Sequence, residues 1–186
     1  MKATIDCIKE TFLESNYNNI NDWWKVVTDQ IYQMDRLIYC VKIDDQELFS
    51  GYEEYISKYY DRIREVHIET KSKLDSYLET KLVVREYLEK LVPACHELAD
   101  QFYGGVNEEG WKLFSQFIEG LDWLIHAFEF MQVLNRDLNL NPIIKELQVI
   151  ISELSSGVQN QDLVLVGDLI QYEIVTALEK FLELDI

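Results

Sequence analysis

Glu119, Asp122, His126 and Asp168 are the side chains whose types and spacing come nearest to chemistry. Three carboxylates and an imidazole form a donor set that can hold a divalent metal ion. Asp122 and His126 stand four residues apart, so a helix would put them on one face. If "FIEGLDWLI" and "LVLVGDLIQYEIV" are helices that cross at their glycines, Glu119 and Asp168 would come beside that pair, with Glu173 in reach. The known helical metal frameworks ask for more. Di-iron bundles use paired Glu-x-x-His and zinc proteases use His-Glu-x-x-His, and neither pattern occurs. Metal binding, or metal-dependent catalysis, is therefore the alternative reading. The leading one has these carboxylates bonding to Tyr172, Trp123 or helix ends, or simply facing water.

His96 and Asp100 make a second pair at the same spacing. Were the helices on either side of Gly104-Gly105 an antiparallel hairpin, the 1.5 Å rise per residue would hold His96 and His126 roughly 15 Å apart. They then share no site. Cys95 and His96 are neighbours in sequence but point in successive directions around a helix, which argues against a thiolate dyad. No dinucleotide or phosphate loop, Gly-x-Ser-x-Gly or zinc-deaminase pattern is present. Neither a catalytic residue nor a cofactor is expected.

Two further groups have competing readings. Tyr52, Tyr55, Tyr59 and Tyr60 crowd one short segment and could form a partner-binding surface, since tyrosine offers broad contact area with a polar tip. Packing over a small sheet explains them equally well. Gly120 and Gly167 each interrupt a strongly apolar helical pattern at a cost of about 1 kcal/mol relative to alanine. Such glycines predict a close contact between the two helices that carry them, unless they are merely tolerated.

The chain has 34 acidic against 17 basic residues in 186, a formal charge of -17, together with 48% hydrophobic and 12% aromatic residues. That apolar content calls for folded structure, so the acidity belongs to a folded surface. A surface of this sign repels nucleic-acid backbones and anionic membranes. The charge excess on its own is explained first by solubility, with basic proteins and cations as the complementary ligands; another protein is the expected partner, and a homo-oligomer is a further option. Cys7, Cys40 and Cys95 are odd in number and lack Cys-x-x-Cys spacing, which fits reduced thiols. With no apolar leader at the start and no run long enough for a membrane span, a cytoplasmic protein is expected.

The elements that would position these groups follow from periodicity. Residues 1–20 form a preliminary segment with a loop at "SNYNN", and a helix is predicted over about 21–36 from Trp24, Val27, Ile31 and Met34. Two apolar runs flank Asp44-Asp45 as a β-hairpin. Ser50 and Glu53 suggest a capping box for a short helix through about Tyr60, and "REVHIET" supplies a third alternating segment. From Thr70 onward the pattern is helical. Ser72-x-x-Asp75 opens a helix that reaches Gly104-Gly105, with a kink expected at Pro93. Asn107 opens the next, Asn141-Pro142 a third ending at Ser155 to Gly157, and Asp162 a last one running to about Leu184.

The segments "IDDQELFSGYEEYI", "YLEKLVPACHELADQFYGG", "FIEGLDWL" and "GDLIQYEI" resemble a family of small, acidic, uncharacterised helical proteins of Gram-positive bacteria, over most of the chain after about Asn21. That resemblance implies no particular activity. The expected fold is mainly α: an antiparallel bundle of about four long helices with a small N-terminal β-hairpin or three-stranded appendage. Residues 1–70 would form a small α+β lobe packed on the bundle of residues 71–186. The expected function is a non-catalytic interaction or adaptor protein, chaperone-like in the sense of offering an acidic surface with an apolar groove or the tyrosine-rich lobe.

Overall fold

Alternating side chains build the first part of the molecule. The computed structural model describes residues 1–12 and 17–184, and the chain divides into two units, Met1–Ser76 and Tyr77–Ile186. In the first, β1 (Lys2–Ile5), β2 (Ile8–Phe12), α1 (Tyr17–Gln33), β3 (Arg36–Ile43), β4 (Gln46–Leu48), α2 (Tyr52–Tyr59) and β5 (Glu65–Ser72) follow in order. The strands lie in the order β2-β1-β5-β3-β4. β1 runs parallel to β5, and the other neighbours are antiparallel.

Register puts the apolar residues on one face, because side chains alternate along a strand. Ala3 and Val41 stand beside Val66 and Ile68 respectively, and Ile5 and Ile43 complete the layer across β5. Onto this layer α1 lowers Ile20, Trp24, Val27 and Ile31, and α2 contributes Ile56. Full burial of one such aliphatic side chain is worth about 1.5–3 kcal/mol, so this layer is what holds sheet and helices together.

A five-stranded mixed sheet thus replaces the expected hairpin or three-stranded appendage. The strands missing from the expectation are β1 and β2, whose polar, short-range pattern is unremarkable until β5 pairs with β1 from more than sixty residues away. Of the loop expected at "SNYNN", residues 15–16 lie outside the described residues and 17–19 belong to α1. That helix starts four residues earlier than the periodicity suggests and stops before Met34, which is half exposed. The capping box at Ser50 does not form. Gly51, at φ +68°, precedes α2, and Glu53 is engaged elsewhere.

The hairpin at Asp44-Asp45 is present, with Asp44 in the left-handed region at φ +50°. Its carboxylate accepts the backbone N–H groups of Arg64 and Glu65 at 3.1 and 2.9 Å, tying the turn to the start of β5. At the other end of β5, Thr70 is buried. Its hydroxyl donates to Asp6 at 2.6 Å and accepts from Arg36 Nε at 2.6 Å, while its backbone N–H donates to Asp6 at 2.8 Å. Burial alone would push the Asp6 carboxyl up, but these Thr70 bonds, a contact with Cys7 and the Arg36 charge together hold it below its usual value.

The second unit is helical, and the chain as a whole is mainly α. Its elements are α3 (Lys73–Gly104, whose first turn falls before the division), α4 (Glu108–Leu134), α5 (Asn141–Gln159), α6 (Leu163–Asp168), a π-helical turn (Leu169–Ile174) and α7 (Val175–Glu183). Local capping explains the starts. Ser72 Oγ accepts the Asp75 N–H at 3.0 Å, Asn107 accepts that of Gly110 at 2.9 Å, and Asp162 that of Leu165 at 3.0 Å. At α5 the cap differs from expectation: Gln132 of α4 accepts the N–H groups of Leu140 and Asn141 at 2.6 and 3.0 Å, so the cap arrives from another helix. α5 also continues past Gly157, which is buried beneath Val166.

The last segment is helical but not one uniform helix. Val175 N–H bonds back to the Ile170 carbonyl, five residues earlier, which widens one turn. The wider turn lets Leu169, Ile170, Ile174 and Val175 all enter the core while Tyr172 and Glu173 face water. Phe128 of α4 and Phe181 of α7 stack at 4.5 Å within that core.

Candidate functional site

Helix α3 borders the cleft and both glycine positions of the second unit. A loop of three residues, 105–107, joins it to α4, and their aromatic contacts run in antiparallel order, with Phe102 against Trp111 at 5.4 Å and Tyr87 against Trp123 at 5.1 Å. Beside this pair opens an apolar cleft of about 230 Å³. Tyr87, Leu91, Ala94 and Leu98 line it from α3, Leu113 and Phe117 from α4, and Glu97, Gln101 and Gln116 supply its polar members. Leu98 and Phe117 are buried and form its floor, while Ala94 and Leu113 stand exposed at its edge.

Gly120 and Gly167 both serve α3. A Cβ on Gly120 would collide with the Tyr87 hydroxyl, and one on Gly167 would lie 2.7 to 3.1 Å from three ring carbons of Tyr103. Each glycine is a slot for a tyrosine ring, and the close approach is to α3 rather than between the two glycine-bearing helices. Sequence spacing marks both positions as unusual but carries no sign of which helix fills them.

Over Gly167, Tyr103 donates to Asp168 Oδ1 at 2.7 Å. Partial burial, that hydrogen bond and the negative charges of Asp168 and Asp100 push the Tyr103 phenol up to about 12, so it stays a neutral donor. Asp168 is thereby committed to α3. Asp122 and His126 do pair, with His126 Nδ1 donating to the Asp122 carbonyl at 2.8 Å and 3.6 Å from its carboxylate. Their side chains are 72% and 67% exposed, and the hydrogen bond and the neighbouring acid raise the imidazole pKa. Glu119 and Glu173 are exposed. Among the described residues no group of three or more His, Cys, Asp or Glu side chains is placed to hold a metal ion, so Glu119, Asp122, His126 and Asp168 are not gathered. Cys95 is fully buried, and burial pushes its thiol up to about 12, which makes it a poor nucleophile beside an exposed His96.

In the first unit, Tyr52, Tyr55, Tyr59 and Tyr60 are half-buried against the core of sheet and helices. Tyr55 and Tyr59 lie 4.7 Å apart with Lys58 over the Tyr59 ring at 5.3 Å, and Tyr52 meets Trp24 at 5.6 Å. Much of their ring area is therefore spent on the protein itself. A cleft that periodicity does not mark lies beside them, between α1 and α2.

Fold and sites together define a mainly helical protein that presents an apolar cleft on an acidic helical unit. The chain belongs to the family described as Domain of unknown function (DUF8042), whose profile matches residues 79–184. That span is nearly the whole second unit. No curated protein and no solved structure matches the chain. Among the described residues no helix is long and apolar enough to cross a membrane.

Proposed function

We propose that this protein is a non-catalytic interaction module, or adaptor, whose antiparallel helical scaffold binds a basic amphipathic segment of another protein in the cleft between α3 and α4. The observation that supports this is an apolar cleft of about 230 Å³ on a unit with 19 acidic and seven basic side chains. Residues Met1–Ser76 hold the remaining 15 acidic and ten basic ones, so the charge excess is concentrated on the helical unit. A cleft of this size takes one or two apolar side chains, as in helix-in-groove recognition, and the surrounding field selects a cationic partner. A second copy of the chain is a poor occupant because it carries the same charge of -17.

The test is calorimetric titration with a synthetic leucine–lysine amphipathic helix and a leucine–glutamate counterpart of identical apolar pattern. The lysine helix binds, more weakly as salt rises, and the glutamate helix does not. Ala94→Arg and Leu113→Arg, both at exposed positions, lower the affinity at least about tenfold, corresponding to 1.4 kcal/mol. Undiminished binding by both variants would show that diffuse charge, not the cleft, attracts the peptide, and the proposal would fall.

A further inference from the structure

The first unit carries a smaller cleft with a different chemistry. Ile20, Asn21 and Trp24 of α1 face Glu53, Ile56 and Ser57 of α2 around a space of about 100 Å³, closed at one side by Tyr60. Trp24 is only 8% exposed. Its indole N–H donates to Glu53 Oε1 at 2.9 Å, across 29 residues of sequence. That bond fixes an otherwise exposed carboxylate at the mouth, and among the described residues the second oxygen, Oε2, has no donor. Ile20 and Ile56 are buried and make the floor apolar, and two of the walls are aromatic.

Each feature narrows the ligand. Among the described residues Glu53 is the one formally charged group in the lining, so an anion is repelled and a cation attracted. One carboxylate with the neutral oxygens of Asn21, Ser57 and Tyr60 is a poor set for a hard metal ion, which takes six or more oxygens and favours several carboxylates. A volume of about 100 Å³ is well below the roughly 300–1,000 Å³ of clefts for drug-sized molecules. Aromatic side chains, a fixed carboxylate and an apolar floor are the elements that recognise an alkylated ammonium group, by cation–π attraction and ion pairing together.

We propose that the α1–α2 cleft binds a small organic ammonium ion, with Glu53 as its counter-ion and Trp24 and Tyr60 as its aromatic walls. This site is independent of the α3–α4 cleft. Its test uses choline and 3,3-dimethylbutan-1-ol, a neutral molecule of the same shape, titrated into the full chain by calorimetry. Choline binds saturably in the millimolar range or tighter, and the neutral analogue binds at least about tenfold more weakly. Glu53→Gln removes most of that preference, and Ser57→Trp, at an exposed position of α2, fills the cleft and abolishes binding while circular dichroism stays unchanged. Absence of saturable choline binding, equal binding of the neutral analogue, or choline affinity unaltered in Glu53→Gln would each overturn the assignment.

Discussion

Replacing Gly120 with alanine sets two effects of known size against each other. A helix-interior glycine gives up about 1 kcal/mol relative to alanine, so the substitution gains that much if nothing is in the way. Something is in the way: the new Cβ lands on the Tyr87 hydroxyl, the nearest atom to that position. A tyrosine ring is stiff, and forcing an extra carbon into a filled site costs about 1–3 kcal/mol. Gly120→Ala should therefore destabilise by about 0–2 kcal/mol rather than stabilise by about 1. In a Tyr87→Phe background the nearest atom becomes the ring carbon Cζ at 3.2 Å, which needs a shift of only a few tenths of an ångström. There the alanine should be close to neutral or stabilising by up to about 1 kcal/mol. A double-mutant cycle measured by urea unfolding, with helical circular dichroism as the signal, should give a coupling of about 1–3 kcal/mol. Because Tyr87 also lines the α3–α4 cleft, its displacement should lower peptide affinity in Gly120→Ala, and the double variant should recover it. Stabilisation by about 1 kcal/mol in both backgrounds, with no coupling, would refute the seating of the tyrosine.

Thr70→Val removes a buried hydroxyl that both donates to Asp6 and accepts from Arg36, and should cost about 1–3 kcal/mol. Because the folded Asp6 carboxyl titrates below its unfolded value of 3.8, it contributes stability above that value, lost as the pH falls through the lower folded one. The gap in urea midpoint between wild type and Thr70→Val should therefore be wide near neutral pH and narrower at about pH 3; a gap independent of pH would contradict the role given to Asp6. For the thiols, the folded Cys95 value of about 12 lies above the ordinary 9.0, so the unfolded chain releases its proton first. Its contribution is full below the ordinary value and declines as pH climbs toward the folded one. Near neutral pH an aromatic disulfide reagent should modify half-buried Cys7 in the native protein and reach Cys40 and Cys95 only on unfolding. Native-state labelling of Cys95 at the rate of Cys7 would show that its surroundings open.

Helix starts were legible wherever the cap is local. Ser72, Asn107 and Asp162 each bond an N–H three residues ahead, and three residues is within reach of any reading of spacing. Ser50 has the same signature and fails, because Glu53 is drawn to Trp24 and Gly51 takes a left-handed conformation instead. The cap of α5 illustrates the converse, since Gln132 reaches it from the preceding helix. Among the candidate site residues, Asp122 and His126 meet because one turn of helix brings them together. Asp168 does not join them, as its partner Tyr103 lies 65 residues away.

By itself the sequence determined the helical character of the long C-terminal segments, their boundaries to within a few residues, and an acid excess, because side-chain periodicity, capping and charge are local or additive. Tertiary structure alone decided that β1 pairs with β5, that α3 supplies the tyrosines filling both glycine slots, and that α1 and α2 enclose a cleft around Trp24 and Glu53. Each of these joins residues 29 or more positions apart in the chain. Such contacts depend on which surfaces remain apolar once every element has formed, and no short window of sequence contains that information.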